Sequence, residues 1–311
     1  MSIKVYPNGG LLVEIKGRKI LLDPTSLPSE KPDAVFVSHA HSDHYNFKTL
    51  RIMKGIPKVM SQATWELIDP KRRLDNVTIV ESGDSVEVAG LAMEVHEAGH
   101  VIGSLQLLID AGLRMVYTGD FNLDRRLVLK SAPILKTDVL VIDSTYGHPR
   151  YTFPPRAQLY REILRTVRAF LEENKGVALA TRVLGTGQEV TALLSLVAKV
   201  VPFVDRRVAE KNRVYEKHGE ILGSYVVNTS APPRSAAAVV PLSARYCNSI
   251  PCTGWATNSG FPLSSHAGFT DLIKYVLESE ANEVFAFWGF AEYFADVLRR
   301  ELGVHAYAYQ H

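Results

Sequence analysis

Apolar and polar positions alternate in short runs along the first part of the chain, with turn residues between the runs. Ile3 and Val5, Leu11-Leu12-Val13-Glu14-Ile15 and Lys19-Ile20-Leu21-Leu22 are separated by Asn8-Gly9-Gly10 and Lys16-Gly17-Arg18. Period-two alternation broken by Asn and Gly predicts a β-meander. It ends at Asp23-Pro24, where a carboxylate leaves a strand. Ala34-Val35-Phe36-Val37 is apolar and β-branched and reads as a buried strand. Residues 46–54 suit a short amphipathic helix, and strand-like runs follow at 58–60, 77–80, 86–88 and 91–95. Residues 114–117 and 139–142 predict two more strands, which run into Gly119-Asp120 and Asp143.

The pattern changes period after residue 150. Leu159, Ile163, Leu164, Val167 and Leu171 recur at helical spacing and predict a long helix over 157–173. A strand over 176–180, a helix over 188–200 and strands near 225–227 and 237–240 follow, which makes this middle segment α/β. Helices over 269–277 and 291–302, a buried strand over 284–289 and a short strand over 304–311 complete the chain.

With 311 residues, 46% hydrophobic and 22% charged, the chain is globular and long enough for one large domain or two. No apolar run approaches the roughly 20 residues of a membrane span, so no membrane partner is expected. Met1-Ser2-Ile3-Lys4-Val5-Tyr6 lacks the character of a signal peptide, and a cytoplasmic location is expected. Cys247 and Cys252 are too few for a disulfide framework or a zinc ribbon. They could bridge each other, but free thiols are the expectation in the cytoplasm. The net charge is only +2, yet residues 150–245 hold fifteen Lys or Arg against eight Asp or Glu. Solvated helix faces explain many such segments; a basic segment also suits a polyanion such as nucleic acid.

The candidate chemistry begins at Ser38-His39-Ala40-His41-Ser42-Asp43-His44, just after a predicted strand. Imidazoles and carboxylates are the usual ligands of zinc-type ions. In extended chain His39 and His41 point the same way and can grip one ion, while Asp43 and His44 can reach a second beside it. Asp23 alone reads as a turn residue; next to this cluster a supporting role for the ligands gains weight. Gly99-His100 lies between strand-like segments, with Gly103 after it. Asp23, His39 onward, Asp120 and Asp143 all stand at strand ends, where a sheet holds groups rigidly and loops stay open. The Leu184-Gly185-Thr186-Gly187 turn could offer backbone N–H groups to a phosphate, but most such turns are only tight connections.

His39-x-His41-x-Asp43-His44, then His100, then Asp120, with Asp23 before them, resemble the motifs of the metallo-β-lactamase superfamily. That resemblance implies an α/β fold, an αββα sandwich with a two-metal site on one edge. It further implies that His39, His41 and His100 hold one ion, that Asp43, His44 and His266 hold the other, and that Asp120 bridges them. Asp143-Ser144-Thr145-Tyr146-Gly147 and Leu263-Ser264-Ser265-His266-Ala267 resemble motifs A and B of the β-CASP branch. That branch includes RNA 3′-end-processing endonucleases, RNase J, Artemis and ligase-associated DNA exonucleases. The resemblance covers essentially the whole chain, without the KH or other RNA-binding extensions of longer relatives. It implies a metallo-β-lactamase domain over 1–147 and 247–311, with a compact α/β β-CASP insertion over 148–246.

The function implied is hydrolysis of phosphodiester bonds in single-stranded nucleic acid, RNA slightly favoured over DNA, by a hydroxide activated between two divalent ions, zinc first. The catalytic set would be Asp43, Asp120, His266, Asp23 and Asp143, with Asp23 and Asp143 orienting ligand imidazoles. The basic insertion would hold the nucleic acid, and homodimerisation is left open. One position departs from the RNA-cleaving members: Trp288 stands in Phe287-Trp288-Gly289 where their motif C has histidine. A DNA exonuclease of the ligase-associated or Artemis type is therefore the alternative. A small-molecule metallohydrolase and a non-catalytic RNA-binding partner are the readings from other classes.

Overall fold

The computed structural model describes residues 3–228, 235–244, 246 and 248–309, so Cys247, Arg234 and Arg245 lie outside it. The meander forms β1 (Lys4–Pro7), β2 (Leu11–Ile15) and β3 (Arg18–Leu22), antiparallel neighbours with Leu11 opposite Leu22. β4 (Ala34–Phe36), β5 (Lys58–Met60) and β6 (Val77–Ile79) extend the same sheet in parallel, giving six strands in sequence order. Parallel neighbours need crossovers; α1 (Phe47–Ile52) and α2 (Gln62–Ile68) supply two of them. Asn46 and Ser61 cap these helices by accepting from the backbone N–H of Thr49 and Thr64. β7 (Ser85–Val88), β8 (Leu91–Glu97), β9 (Leu105–Asp110) and β10 (Arg114–Tyr117) form a second, antiparallel meander, and β11 (Val139–Asp143) joins β10 in parallel.

The middle of the chain builds a separate unit. It contains α3 (Arg156–Glu172), β12 (Val177–Thr181), α4 (Thr186–Ala192), β13 (Phe203–Asp205), α5 (Arg206–Lys217), β14 (Val226–Asn228), β15 (Ala237–Pro241) and β16 (Ser249–Cys252). Its five strands are all parallel, in the order β14-β13-β15-β12-β16. A parallel sheet is covered on both faces, and the alternation within β12 shows it. Val177 and Leu179 join a core with Ile163, Val167, Leu193 and Val208, while Ala178 and Ala180 face Ala238 and Val240.

The chain then adds α6 (Phe269–Ser279), β17 (Glu283–Phe287), α7 (Ala291–Glu301) and β18 (His305–Tyr309) to the first unit. β17 pairs with β11 and β18 with β17, so the second sheet reads β18-β17-β11-β10-β9-β8-β7. The cores fix the layers. Val13, Ile20 and Phe36 of the first sheet and Leu107, Tyr117, Val141 and Phe285 of the second share one core. Leu12, Leu21 and Val35 turn the other way onto Leu50 and Ile68 of α1 and α2. Val116, Leu140 and Ala286 turn away from the shared core onto Leu272, Tyr275, Phe294 and Leu298 of α6 and α7. The first unit is thus an αββα sandwich, and the second is α/β. No helix among the described residues is long and apolar enough to cross a membrane.

The unit boundaries differ from those expected. Contacts assign 124–130 and 151–265 to the second unit, and 148–150 stay with the first. Residues 248–265 belong with the insertion because β16 pairs with β12 and Cys252 and Leu263 enter its core. Residues 124–130 join it because Arg126 reaches the buried Glu189 at 2.7 Å and Asp124 takes Arg156 at 3.1 Å.

Candidate metal centre

All but one of the candidate ligands stand at or beyond the carboxyl end of a strand of the sandwich. Asp23 follows β3, His39, His41 and His44 follow β4, His100 follows β8, Asp120 follows β10 and Asp143 ends β11. His266 sits in the loop before α6, held at its backbone: the Asn122 side-chain Nδ2 donates to its carbonyl at 3.0 Å, and Ala267 N donates to Phe121 O at 2.7 Å. Gly119, at φ +52, lets the Asp120 strand end approach the histidine loop; a Cβ there would lie 2.7 Å from Ser38 Cβ.

The structure brings His39, His41, His100 and Asp120 together, with ligand atoms within 4.8 Å of one another. His41 Nδ1 is 3.1 Å from His39 Nε2 and 2.9 Å from His100 Nε2. Asp120 is the centre of the array. Its Oδ2 lies 3.4 Å from both His39 Nε2 and His100 Nε2 and 3.6 Å from His266 Nε2, and its Oδ1 lies 3.2 Å from His44 Nε2. Asp23 and Asp143 grip the opposite ring nitrogens: His44 Nδ1 is 2.6 Å from Asp23 Oδ2 and His266 Nδ1 is 3.0 Å from Asp143 Oδ2.

These contacts fix the ring tautomers. An ionised carboxylate only accepts, so Nδ1 of His44 and of His266 carries the proton and Nε2 offers a lone pair. Ser38 Oγ spends its proton on Asp23 Oδ2 at 2.5 Å, so at 2.9 Å it accepts from His39 Nδ1 and leaves that Nε2 bare too. Several lone pairs therefore converge on a buried carboxylate whose Oδ1 has no hydrogen-bond donor. Lone pairs facing an anionic oxygen repel unless a cation lies between them, and that is the fit a divalent ion requires.

The charge states of His39, His100 and Asp120 agree. Burial first, then the neighbouring imidazoles, push His39 and His100 well below the ordinary histidine range and keep them in the neutral, ligating form. Burial works to raise Asp120, but His44, His266, His39 and His100 hold it well below the carboxylate range. His44 goes the other way: burial opposes its charging, yet Asp120 and Asp23 hold it well above its usual value. A cation at its Nε2 would take the place of that proton.

Some expectations are met differently. Asp43 is exposed and joins none of the three groups of close ligand atoms. The turn places His44 inward, with His44 N donating to His41 O at 3.0 Å, and leaves Asp43 exposed. The Gly185 turn offers no open phosphate cradle: residues 186–192 are buried, and Gln188 Oε1 accepts from Gly185 N at 2.7 Å. Trp288 lies at φ 65, unusual for an aromatic residue. Its ring centroid is 5.4 Å from that of His44, and Ser144 Oγ donates to its carbonyl at 2.9 Å. Gly289 beside it could carry no Cβ, which would meet Thr145 Cα at 2.4 Å. Sequence reasoning missed three supports: Tyr117, whose hydroxyl donates to Asp23 Oδ2 at 2.8 Å, Ser104, whose Oγ accepts from His100 N at 3.1 Å, and Asn122. Tyr117 ends a buried strand and reads from sequence only as core.

The ligand set makes a direct prediction. His39→Ala combined with His41→Ala is expected to lower bound transition metal by about one ion per chain, since imidazoles are neutral ligands that alanine cannot replace. Elemental analysis after reconstitution checks it; equal metal in variant and wild type would overturn the ligand assignment.

Comparison with known proteins accords with this geometry. Residues 3–144 match the family model described as Beta-lactamase superfamily domain. The chain is 30% identical over 295 residues to the probable DNA ligase of Opitutus terrae, which covers 88% of this chain and 28% of that protein. It is 27% identical over 212 residues to the RNase J-like protein of Methanocaldococcus jannaschii, covering 59% of this chain and 50% of that one. It is 26% identical over 228 residues to cleavage and polyadenylation specificity factor 73 of Drosophila melanogaster, covering 59% of this chain and 33% of that one. The chain thus spans half or less of the length of these curated relatives.

Proposed function

From a metallo-β-lactamase superfamily domain over residues 3–144, with β-CASP nucleases among the homologues, we propose that this chain is a metal-dependent hydrolase of phosphodiester bonds in single-stranded nucleic acid. RNA is slightly favoured over DNA as the substrate. The observation that carries the reading is the convergence of His39, His41, His44, His100 and His266 on Asp120, with His44 and His266 backed by Asp23 and Asp143. Nitrogen and oxygen donors in this mixture suit zinc.

His39, His41, His100 and Asp120 would hold one ion, and Asp120, His44 and His266 the other. Bound divalent ions would supply Lewis acidity toward the phosphate and an activated water. The protein supplies the rest. Asp23 and Asp143 lock the His44 and His266 rings, so their Nε2 atoms need no reorientation on binding. Asp120 keeps a full negative charge at neutral pH despite its burial. Trp288 stands beside His44 with its ring centroid 5.4 Å away, and an indole, unlike an imidazole, is no acid that could protonate a leaving oxygen at neutral pH.

A ligase-associated DNA exonuclease is the second reading, favoured by the relative that covers 88% of the chain. One assay tests both: matched 5′-labelled RNA and DNA, single- and double-stranded, with and without chelator. Chelator-sensitive cleavage of single-stranded RNA ahead of DNA is expected. Cleavage of DNA alone moves the assignment to the second reading, and no cleavage of any substrate by metal-loaded protein overturns both.

A further inference from the structure

The first unit carries a basic surface that the metal centre does not use. Residues 46–76 hold seven Lys or Arg against three Asp or Glu. They border an open pocket of about 520 Å³ between α1 and the segment after α2, lined by Phe47, Lys48, Arg51, Ile52, Lys54 and Arg73. That volume falls within the usual range of ligand sites.

The acids of this stretch are engaged. Glu66 takes Arg72 at 3.4 Å. Asp69 accepts from Leu74 N at 2.7 Å and lies 3.9 Å from Arg73. Asp75 takes Lys58 at 3.1 Å and Gly55 N at 2.8 Å. Lys48, Arg51 and Lys54 are exposed, and among the described residues no carboxylate comes within ion-pair distance of them. The floor between them is apolar. The Arg73 guanidinium sits 4.6 Å from the Phe47 ring centroid, and Arg72 stands 3.7 Å over Trp65. Ile52 is 51% exposed.

We propose that this pocket docks a nucleic-acid strand at a distance from the metal centre. Lys48, Arg51 and Lys54 would pair with successive phosphates, and the Phe47–Arg73 face would receive a base. Unpaired cations around an apolar, aromatic floor are what a single strand needs: charge for its backbone and a π-face for its bases. An anionic membrane would need more than Ile52 as an apolar anchor. The location suits a continuous path. Asn46, the cap of α1, donates its N–H to Pro24 O beside Asp23, so the helix starts at the rim of the metal centre. The length of α1, about 9 Å at the helical rise, separates that rim from the far cations. The proposal rests on the reading of this protein as one that acts on nucleic acid.

The test compares wild type with Lys48→Ala/Arg51→Ala/Lys54→Ala in anisotropy titrations of labelled single-stranded oligonucleotide over a range of salt. Three lost phosphate contacts should weaken binding about tenfold to a hundredfold and reduce the salt slope by about 2. Metal content, and hydrolysis of a chromogenic aryl phosphodiester that carries no second phosphate, should match wild type. An unchanged affinity and slope in a variant with native circular dichroism overturns the proposal. So does loss of binding to phosphatidylserine vesicles with oligonucleotide affinity intact. If wild type binds oligonucleotide with the expected slope but cleaves nothing, the hydrolase reading falls and the docking site stands.

Discussion

Asp120→Asn is expected to reduce cleavage by roughly a thousandfold or more while leaving oligonucleotide affinity near wild type. The expectation follows from charge at fixed shape. Asp120 is the carboxylate that His39, His44, His100 and His266 share, at 3.2 to 3.6 Å. An amide presents the same outline but no formal charge and one nitrogen in place of an oxygen. It is a far poorer partner for a divalent ion, and its N–H₂ would turn a donor toward Nε2 lone pairs that must stay free for metal. Losing an ion removes Lewis acidity worth several kcal/mol, and each 1.36 kcal/mol is about a factor of ten in rate. Affinity should hold, because phosphate binding rests on surface cations, and the fold should hold because Asp120 follows β10 rather than filling a core. Three measurements together decide it: cleavage rate, metal by elemental analysis, and oligonucleotide affinity. A variant that cuts at the wild-type rate, or holds wild-type metal and does not cut, breaks the link between Asp120 and metal retention.

Much of this centre was legible because its ligands sit at strand ends, and strand ends leave a local signature. Leu11 to Leu22, Val35-Phe36 and Val139–Asp143 were each readable as apolar runs that stop at a polar group. What escaped was set by contacts far apart in sequence. Tyr117 reaches back 94 residues to Asp23, and Asn122 reaches forward 144 residues to the His266 carbonyl. No local pattern announces such partners. β9 escaped because Leu105–Ile109 is buried on both faces and shows no alternation. α5 escaped for the opposite reason: only Val208, Ala209, Asn212 and Tyr215 are buried in a helix otherwise full of charge. Asp43 adjoins His44 in the chain, yet His44 is buried and Asp43 exposed, and spacing alone does not say which way a turn sends its side chains.

The basic insertion was read as a count of charges, and the structure shows how far a count can mislead. Arg206 pairs with Glu210 at 3.0 Å, Arg207 with Asp205 at 3.1 Å and Lys175 with Glu173 at 2.7 Å. Arg156 is buried against Glu189. Each pair removes one charge of either sign, so the basic excess stands while fewer individual cations are free for a polyanion.

Glu189→Ala is expected to destabilise the second unit by about 3–5 kcal/mol, the range for removing one partner of a buried ion pair. Glu189 lies in α4 with both carboxylate oxygens engaged. Its Oε2 accepts from Arg126 Nε at 2.9 Å and Nη2 at 2.7 Å, and its Oε1 accepts from Arg156 Nη1 at 2.6 Å and from the Tyr160 hydroxyl. Arg156 Nη2 also donates to Ser264 O at 2.6 Å, so the same cluster ties the end of the insertion to its start. Alanine would strand two guanidiniums in a site where neither can lose its proton. Glu189→Gln keeps the outline and one acceptor, and should cost less. The network also sets a pH dependence. Burial alone would raise the Glu189 carboxyl, but Arg126 and Arg156 hold it below its usual range. A carboxyl depressed in the folded state contributes stability that is complete above the unfolded value of about 4.3. That contribution is lost as pH falls through the lower folded value. Wild type should therefore lose stability on acidification more steeply than Glu189→Gln. Urea unfolding of the three proteins from neutral to acid pH measures both effects. A Glu189→Ala loss under about 1 kcal/mol, or parallel pH curves for wild type and Glu189→Gln, would show that the buried network does not hold the unit together.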